Sequence, residues 1–282
     1  MDENVERFEQ VIAKDPSFAP AYAGLASAYA IRSVMFPLDH PTDELSKMLA
    51  AAKKAIQLDP LLAEAHAALA LVDAREGQWE QAERSFRHAI QLDPNRSTTY
   101  THFALWFLTV LGRIDEALEQ LRLAEKADPL SPEVHNALAF ALILNSRFDE
   151  AARYSEKVPA NHTFKKSNLA RAWLGQGKFK EAIEILADDP PRVSGGFLGY
   201  AYARAGRREE AEKLAASLTA SPFQQAFIFA GLGDKERTLE ALDRMTALGA
   251  LRLGRTLYYP ELALVQGDPR LKVLRKKVGL PE

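Results

Sequence analysis

Residues 76–94 read EGQWEQAERSFRHAIQLDP, and the spacing within this stretch indicates the fold class. Ala82, Phe86 and Ala89 follow one another at offsets of four and three, which places them on one side of a helix. Gly77 precedes this helix, and glycine takes the positive φ at the end of a helix without steric cost. The closing Asp-Pro ends the helix, because proline has no amide donor and restricts the residue before it. The stretch therefore predicts the turn and the second helix of a helical hairpin.

The same pattern recurs along the chain. Related turn motifs, in which glycine or serine precedes an alanine by five residues, occupy 112–117, 146–151, 177–182 and 206–211. Asp-Pro pairs repeat with a period of 34 residues from Pro60 to Pro94 and 35 residues from Pro94 to Pro129. A fixed period of this size indicates a repeat architecture.

The composition restricts the classes of partner. The 282-residue chain has 36 basic and 38 acidic residues and a net charge of −2, so no positive field favours nucleic acid or anionic lipid. It has no cysteine, which excludes disulfides and thiolate metal sites. The most apolar run, 103–111, is too short to span a bilayer. We therefore predict a cytoplasmic chain with no nucleic-acid partner and no membrane partner.

No set of residues has the spacing of a catalytic or metal centre. The histidines lack the i, i+4 spacing of a helical zinc site, and no His-Glu-x-x-His run occurs. The stretch 172–179 lacks the first glycine and the Ser/Thr of a phosphate-binding loop. The sequence predicts a protein that is not an enzyme and that holds no cofactor and no metal.

The repeated units resemble the tetratricopeptide repeat (TPR), a family of helix–turn–helix units of 34 residues. Leu69-Ala70, Leu138-Ala139 and Leu198-Gly199 match the family's first-helix pattern, and the turn motifs match its second-helix pattern. The resemblance covers nearly the whole chain. It implies an all-α fold, a right-handed α-solenoid of stacked TPR helical hairpins with a C-terminal capping helix.

The resemblance also divides the chain, as one TPR superhelical domain over 1–282. The expected units are the orphan helix of a partial repeat at 1–16, a repeat at 17–60 with a loop insertion near 32–41, further repeats at 61–94, 95–129, 130–162, 163–191, 192–220 and 221–248, and a C-terminal cap at 249–282.

The two ends of the array differ from its middle. The partial first repeat lacks a first helix, so we expect the chain to be the C-terminal part of a longer protein, with Phe8, Val11 and Ile12 facing the next helix. At the other end, Asp268 and Pro269 are the residue types of an N-cap and a first helical position, which predicts a short capping helix.

A narrower resemblance concerns the protein's context. The chain is similar to the C-terminal arrays of bacterial multidomain signalling proteins in three features taken together. These are the loop insertion, the long array and the ending YYPELALVQGDPRLKVLRKKVGLPE. In that group such arrays follow a winged-helix regulator, a nucleotide cyclase or a Ser/Thr kinase domain. The similarity implies a bacterial signalling or regulatory protein.

In the tetratricopeptide family, first helices line a concave surface along which partner peptides lie. The matching positions predict a partner-binding groove formed by Leu71, Arg75, Leu105, Asn136, Phe140, Asn168, Arg171, Tyr200, Arg204 and Phe227. A partly aromatic stripe of this kind suits an amphipathic helix or an extended apolar segment. The predicted function is a non-catalytic scaffold for a protein or peptide partner.

Three alternatives to an open groove remain at this point. A tight superhelix buries the groove side chains against one another, or the loop near 32–41 fills the groove. In the third alternative, the array mediates self-association of its parent protein as a homo-oligomer through the open N-terminal edge.

Overall fold

The computed structural model describes residues 2–35 and 41–281, which form helices and turns without a β-strand. The α-helices are α1 (Asp2–Lys14), α2 (Ala19–Met35), α3 (Pro41–Leu58), α4 (Ala63–Arg75), α5 (Trp79–Leu92), α6 (Ser97–Phe103), α7 (Thr109–Leu111), α8 (Ile114–Ala127), α9 (Pro132–Leu144), α10 (Phe148–Lys157), α11 (Lys165–Gly175), α12 (Phe179–Leu186), α13 (Pro191–Arg204), α14 (Arg208–Ser217), α15 (Pro222–Gly231), α16 (Lys235–Arg244), α17 (Ala250–Thr256) and α18 (Pro269–Lys277).

Three shorter turns complete the helical structure. A π-helical turn, Ala104–Leu108, joins α6 to α7 without a break. Two 3₁₀ turns, Met245–Leu248 and Pro260–Val265, lie on either side of α17. Within the described ranges, no helix has both the length and the apolar character needed to cross a bilayer.

The helices from α2 onward pack as consecutive pairs. In each pair a first helix contacts its second helix, and α2, α4 and α6 illustrate how each first helix also contacts the first helix of the next pair. This confirms the predicted all-α helical repeat fold. The division into repeats at the predicted residue limits stays a prediction.

A left-handed residue ends the first helix of each hairpin from α4 onward, as the turn motif predicts. Gly77 has a φ of 75°, and the amide of the next residue, Gln78, donates to the Asp73 carbonyl at 2.8 Å. This bond closes the end of α4 in the Schellman arrangement. Ser146 occupies the equivalent position with a φ of 59°. This conformation is less favourable for serine than for glycine, because serine has a Cβ.

Apolar side chains inside and between hairpins form the core. Phe86, Phe103 and Phe107 are all buried, and the ring of Phe103 lies 5.1 Å from that of Phe86 and 5.6 Å from that of Phe107. Ala70 and Ala82 are fully buried where α4 and α5 approach each other closely. Burial of each phenylalanine contributes roughly 1.5–3 kcal/mol, so this cluster anchors the N-terminal half of the array.

The later hairpins are shorter, as their smaller spacing in sequence predicts. The second helices α5 and α8 each have 14 residues. The later second helices α10, α14 and α16 have 10 residues, and α12 has 8. Shorter second helices bury a smaller apolar face, so the C-terminal half needs additional packing to be stable.

Two N-terminal expectations need correction. The predicted loop near 32–41 is partly helical, since α2 continues to Met35 and α3 begins at Pro41. Helix α2 has no proline after Pro20 in its first turn, and proline is favourable at the start of α3. Residues 36–40 of that loop lie outside the described residues.

Val11 of α1 does not face the next helix, because its side chain is 39% exposed, whereas Val5 is buried.

The capping helix forms at the predicted place. The Asp268 side chain accepts a hydrogen bond from the Arg270 amide, and Pro269 occupies the first turn of α18. Leu271 and Leu274 are buried on one side of this helix. Lys277 reaches Asp243 of α16 at 2.8 Å, so α18 covers the last hairpin.

The chain between the last hairpin and the cap takes a path that the sequence analysis did not anticipate. Residues 250–265, here called the C-terminal segment, return across the first helices, and α17 packs against α2, α4 and α7. The approach is close at two glycines. A Cβ on Gly254 would lie 2.7 Å from the Val110 carbonyl oxygen, and one on Gly112 would overlap the Tyr258 ring.

The N-terminal hairpins also bind the very end of the chain. Trp79, at the start of α5, is half-buried, and its indole Nε1 donates to the Gly279 carbonyl at 2.7 Å. The bond joins residues 200 positions apart, so it ties the two ends of the array together.

Trp79→Phe should remove this donor and keep most of the ring packing. We expect the free energy of unfolding, measured by urea titration, to fall by about 0.5–1.5 kcal/mol. The matched control is Trp173→Phe, because the half-buried Trp173 indole donates to no other described residue. Equal losses in the two variants would contradict a contribution from the Trp79 hydrogen bond.

Candidate functional site

The candidate site is the inner face, defined here as the side of the array formed by the first helices α2, α4, α6, α9, α11, α13 and α15. The C-terminal segment packs on this face. Its helix α17 lies against the N-terminal first helices, and its 3₁₀ turn lies against α15. The groove predicted from the sequence is therefore partly filled by the chain itself. The segment that fills it is the C-terminal one, and residues 36–40 of the early loop lie outside the described residues.

A buried ion pair holds the C-terminal segment to the middle of the array. Arg171 of α11 donates from Nε to Glu261 Oε1 at 2.6 Å and from Nη2 to Glu261 Oε2 at 3.0 Å. The two side chains are 2% and 4% exposed. The planar guanidinium matches the carboxylate in two parallel hydrogen bonds, which is the strongest geometry available to such a pair.

Burial and the partner carboxylate act on the Arg171 guanidinium in opposite directions. Burial alone lowers the pKa of Arg171, because it disfavours the charged form. The charge and hydrogen bonds of Glu261 outweigh burial and hold the pKa above its ordinary value. The charged guanidinium of Arg171 therefore depends on a negative partner.

Aromatic rings surround the ion pair. The Arg171 guanidinium lies 4.1 Å from the Tyr259 ring and 4.8 Å from the Phe197 ring. Tyr259 in turn lies 5.4 Å from Phe227 and 5.8 Å from Phe140. These rings exclude water from the pair, and their faces attract the cation.

A second arginine of the C-terminal segment has a similar aromatic environment at a more exposed place. Arg255 of α17 lies 4.9 Å from the Trp106 ring and 5.4 Å from the Phe140 ring, and it is half-buried. Among the described residues, no carboxylate forms an ion pair with it. Arg252, three residues earlier, lies 4.9 Å from the Phe223 ring, and burial followed by the charge of Arg255 lowers its pKa.

The π-helical turn sets the position of Trp106. The extra residue in this turn shifts the side chains that follow relative to those of an unbroken helix. The Thr109 hydroxyl donates to the Leu105 carbonyl at 2.8 Å, which satisfies an acceptor inside the turn. Leu105 is half-buried on the same turn.

Burial separates the residues predicted for the groove into two sets. The buried ones are Leu71, Asn168, Arg171 and Phe227. The half-buried or exposed ones are Arg75, Leu105, Asn136, Phe140, Tyr200 and Arg204. The prediction of direct partner contact by the buried set needs correction for this structure, because their side chains are covered by the chain itself. For the second set, partner binding stays a prediction.

The structure brings five of the predicted groove residues into two groups. Phe140, Arg171 and Phe227 meet around Tyr259 of the C-terminal segment. Asn168 donates from Nδ2 to Asn136 Oδ1 at 2.9 Å, so these two side chains satisfy each other.

Two further predicted residues lie beside this group. Burial raises the pKa of the Tyr200 hydroxyl, and the Glu261 charge adds to this effect. Arg204 is exposed and lies 5.9 Å from the Phe179 ring.

Sequence reasoning missed the partners supplied by the C-terminal segment, above all Tyr259, Glu261 and Arg255. One signal was available. Glu261 is a single acidic residue within the otherwise apolar stretch 257–265, and Arg171 is a single basic residue on the apolar part of α11. Isolated opposite charges in two apolar stretches indicate a buried pair, because each requires a partner once water is removed.

The comparisons with known proteins agree with this repeat geometry. Residues 63–96, which contain α4 and α5, match the family model of the tetratricopeptide repeat. This part of the chain is similar to one tetratricopeptide repeat. No curated protein matches the chain at a significant level.

Solved structures are similar over most of the chain. A tetratricopeptide repeat protein from Parabacteroides merdae is 14% identical, has a TM-score of 0.57, and is matched over 90% of this chain and 98% of its own. A human IFIT1 dimer with PPP-AAAA is 22% identical with a TM-score of 0.58, over 90% of this chain and 69% of that one. Pseudomonas aeruginosa PilF is 18% identical with a TM-score of 0.50, over 87% and 98%. At these identities the likeness shows the shared all-α helical repeat fold.

Glu261→Gln should leave the buried Arg171 charge without a counter-charge. We expect the free energy of unfolding to fall by about 3–5 kcal/mol, because an uncompensated buried charge is costly. The measurement is urea unfolding followed by circular dichroism, with the exposed Glu209→Gln as control. The double variant Arg171→Met, Glu261→Leu should recover most of the loss. A loss below about 1 kcal/mol for Glu261→Gln, the scale of surface substitutions, would contradict the role of the pair.

Proposed function

We propose that this chain is a non-catalytic interaction scaffold that binds a protein or peptide segment on the part of the inner face beside the C-terminal segment. The observation that carries the proposal is the set of half-buried apolar side chains that remain there, Leu105, Phe140 and Tyr200, next to arginines. Such a surface offers apolar area together with groups that fix the orientation of a bound segment.

The repeat fold supports this proposal. Each hairpin of a helical repeat array contacts its neighbours, and the resulting extended surface is the one that such arrays use for binding. The sequence resemblance to bacterial signalling arrays supports a place in a bacterial signalling or regulatory protein, acting in the cytoplasm.

Filling by the C-terminal segment sets the limits of the proposed binding surface. The segment buries Leu253 and Leu262 completely and Val265 almost completely. Each buried aliphatic side chain contributes roughly 1.5–3 kcal/mol, so an incoming peptide would have to offset a large loss to displace the segment. The bound partner therefore lies beside the segment and uses it as one wall of the site.

Leu105→Glu should disrupt this binding surface. A library of random dodecapeptides displayed on phage would be selected on the intact chain, and the enriched peptides would be labelled for fluorescence anisotropy. We expect Leu105→Glu to weaken binding at least about tenfold, because a charge placed on an apolar contact must be desolvated. The control is Leu123→Glu, since Leu123 is 44% exposed on the second helix α8.

Two outcomes would count against a peptide-binding inner face. Either no peptide is enriched, or the enriched peptides bind the Leu105 and Leu123 variants equally well. Circular dichroism of both variants would establish that each is folded.

Self-association is the second candidate function, and the N-terminal edge favours it. Helix α1 is amphipathic, and it packs chiefly against α2. Phe8 lies against Gly24, but Val11 and Phe18 remain 39% and 46% exposed. Two apolar side chains left uncovered at the open end of a repeat array suit contact with a second copy.

Val11→Lys should separate these possibilities. If the edge joins two copies, sedimentation velocity would show a concentration-dependent dimer of the wild-type chain, and Val11→Lys would shift it to monomer. The matched control is Val273→Lys, because Val273 is 64% exposed on α18 at the opposite end of the chain. A monomer at all concentrations would remove this second candidate.

A further inference from the structure

We propose that the inner face recognises an acidic residue of its partner segment, and that Arg255, held between the Trp106 and Phe140 rings, is the group that binds the carboxylate. The inference rests on the proposed function and names the chemistry of the partner. The ligand class is a protein segment in which aspartate or glutamate stands next to apolar residues.

Two arginines of the chain lie in similar aromatic environments. Arg171 lies among aromatic rings and binds the Glu261 carboxylate in two hydrogen bonds of 2.6 and 3.0 Å. Arg255 also lies over aromatic rings, at 4.9 and 5.4 Å, and it shares the Phe140 ring with Arg171. The internal pair shows which group an arginine in this environment binds.

The two arginines differ in burial and in whether a carboxylate binds them. Arg171 is almost fully buried and its partner is Glu261. Arg255 is half-buried, and among the residues whose side chains the structure describes, 3–32 and 45–281, no carboxylate forms an ion pair with it. The aromatic rings limit the motion of its side chain, so little further entropy is lost when the guanidinium binds a planar carboxylate.

Acidic residues are scarce on the helices of the inner face. Helices α6, α11, α13, α15 and α17 contain no aspartate or glutamate. The acidic residues of α4 already have contacts, since Glu64 pairs with Arg96 at 2.7 Å and Asp73 is buried and faces Ser85. Glu133 of α9 is exposed and accepts a hydrogen bond from the Ser131 hydroxyl at 3.3 Å. A negative residue of the partner is complementary to this face.

The same observations favour a protein segment over a nucleic acid. Successive phosphates require a row of lysine and arginine side chains. Helix α9, whose Phe140 ring lies 5.4 Å from the Arg255 guanidinium, carries neither residue type. The neighbouring Leu105 and Phe140 are apolar, which suits side chains on either side of an acidic residue.

The test uses the peptides enriched on the intact chain. Their sequences should contain aspartate or glutamate flanked by apolar residues. Arg255→Gln should raise the Kd at least about tenfold, since a charge-assisted bidentate pair is lost. Arg255→Lys should have a smaller effect, because it keeps the charge without the fork. The control is Arg84→Gln, on the second helix α5, whose side chain is 66% exposed.

A double-mutant cycle tests direct contact. Replacing the acidic residue of the peptide by its amide should weaken binding to the wild-type chain and leave binding to the Arg255→Gln chain nearly unchanged. Additive losses would overturn the assignment of the carboxylate to Arg255. The thermal midpoint of each variant, measured by circular dichroism, confirms that the comparison is made between folded chains.

The remaining outcomes distinguish this inference from the proposed function. Neutral or basic peptides that depend on Leu105 but not on Arg255 would overturn the inference and leave the scaffold function in place. The absence of any enriched peptide would overturn both. Binding of labelled oligouridine that is lost in Arg255→Gln, without peptide binding, would overturn the inference in favour of RNA.

Discussion

The ion pair between Arg171 and Glu261 is the constraint on which the inner face depends. A charged guanidinium inside a helical array is costly unless a carboxylate meets it with good geometry, and here the partner comes from 90 residues away. The C-terminal segment must therefore lie across α11, and Tyr259 enters the aromatic cluster beside it. Which part of the inner face is closed, and which part a partner can reach, follows from this placement.

The placement of the C-terminal segment also affects the stability of the whole array. Helical repeat arrays are usually stabilised by contacts between neighbouring repeats alone. In this chain, the segment adds contacts between distant parts, including the hydrogen bond from Trp79 to Gly279. Such links make the two halves unfold together more than an isolated stack of hairpins would. They also compensate the short second helices of the C-terminal half, whose apolar faces are small.

The sequence was sufficient for local features and for the repeat. The turn residues were predictable because their backbone requirement is local, and even Ser146 at a glycine position has the expected positive φ. The capping helix was predictable because Asp268 and Pro269 determine a helix start without help from distant residues. The groove residues were predicted from the family position alone. That position does not reveal whether another segment covers them, as the C-terminal segment covers Phe227.

By itself the sequence determined the all-α repeat fold, the hairpin turns and the capping helix, since these depend on spacings within about one repeat. Only the tertiary structure decided that the C-terminal segment fills part of the inner face and that Arg255 stands between Trp106 and Phe140. The physical reason is that a buried charge or an aromatic ring accepts any partner of suitable chemistry. Which partner it meets depends on the curvature summed over the whole stack of hairpins, and no local pattern encodes that sum.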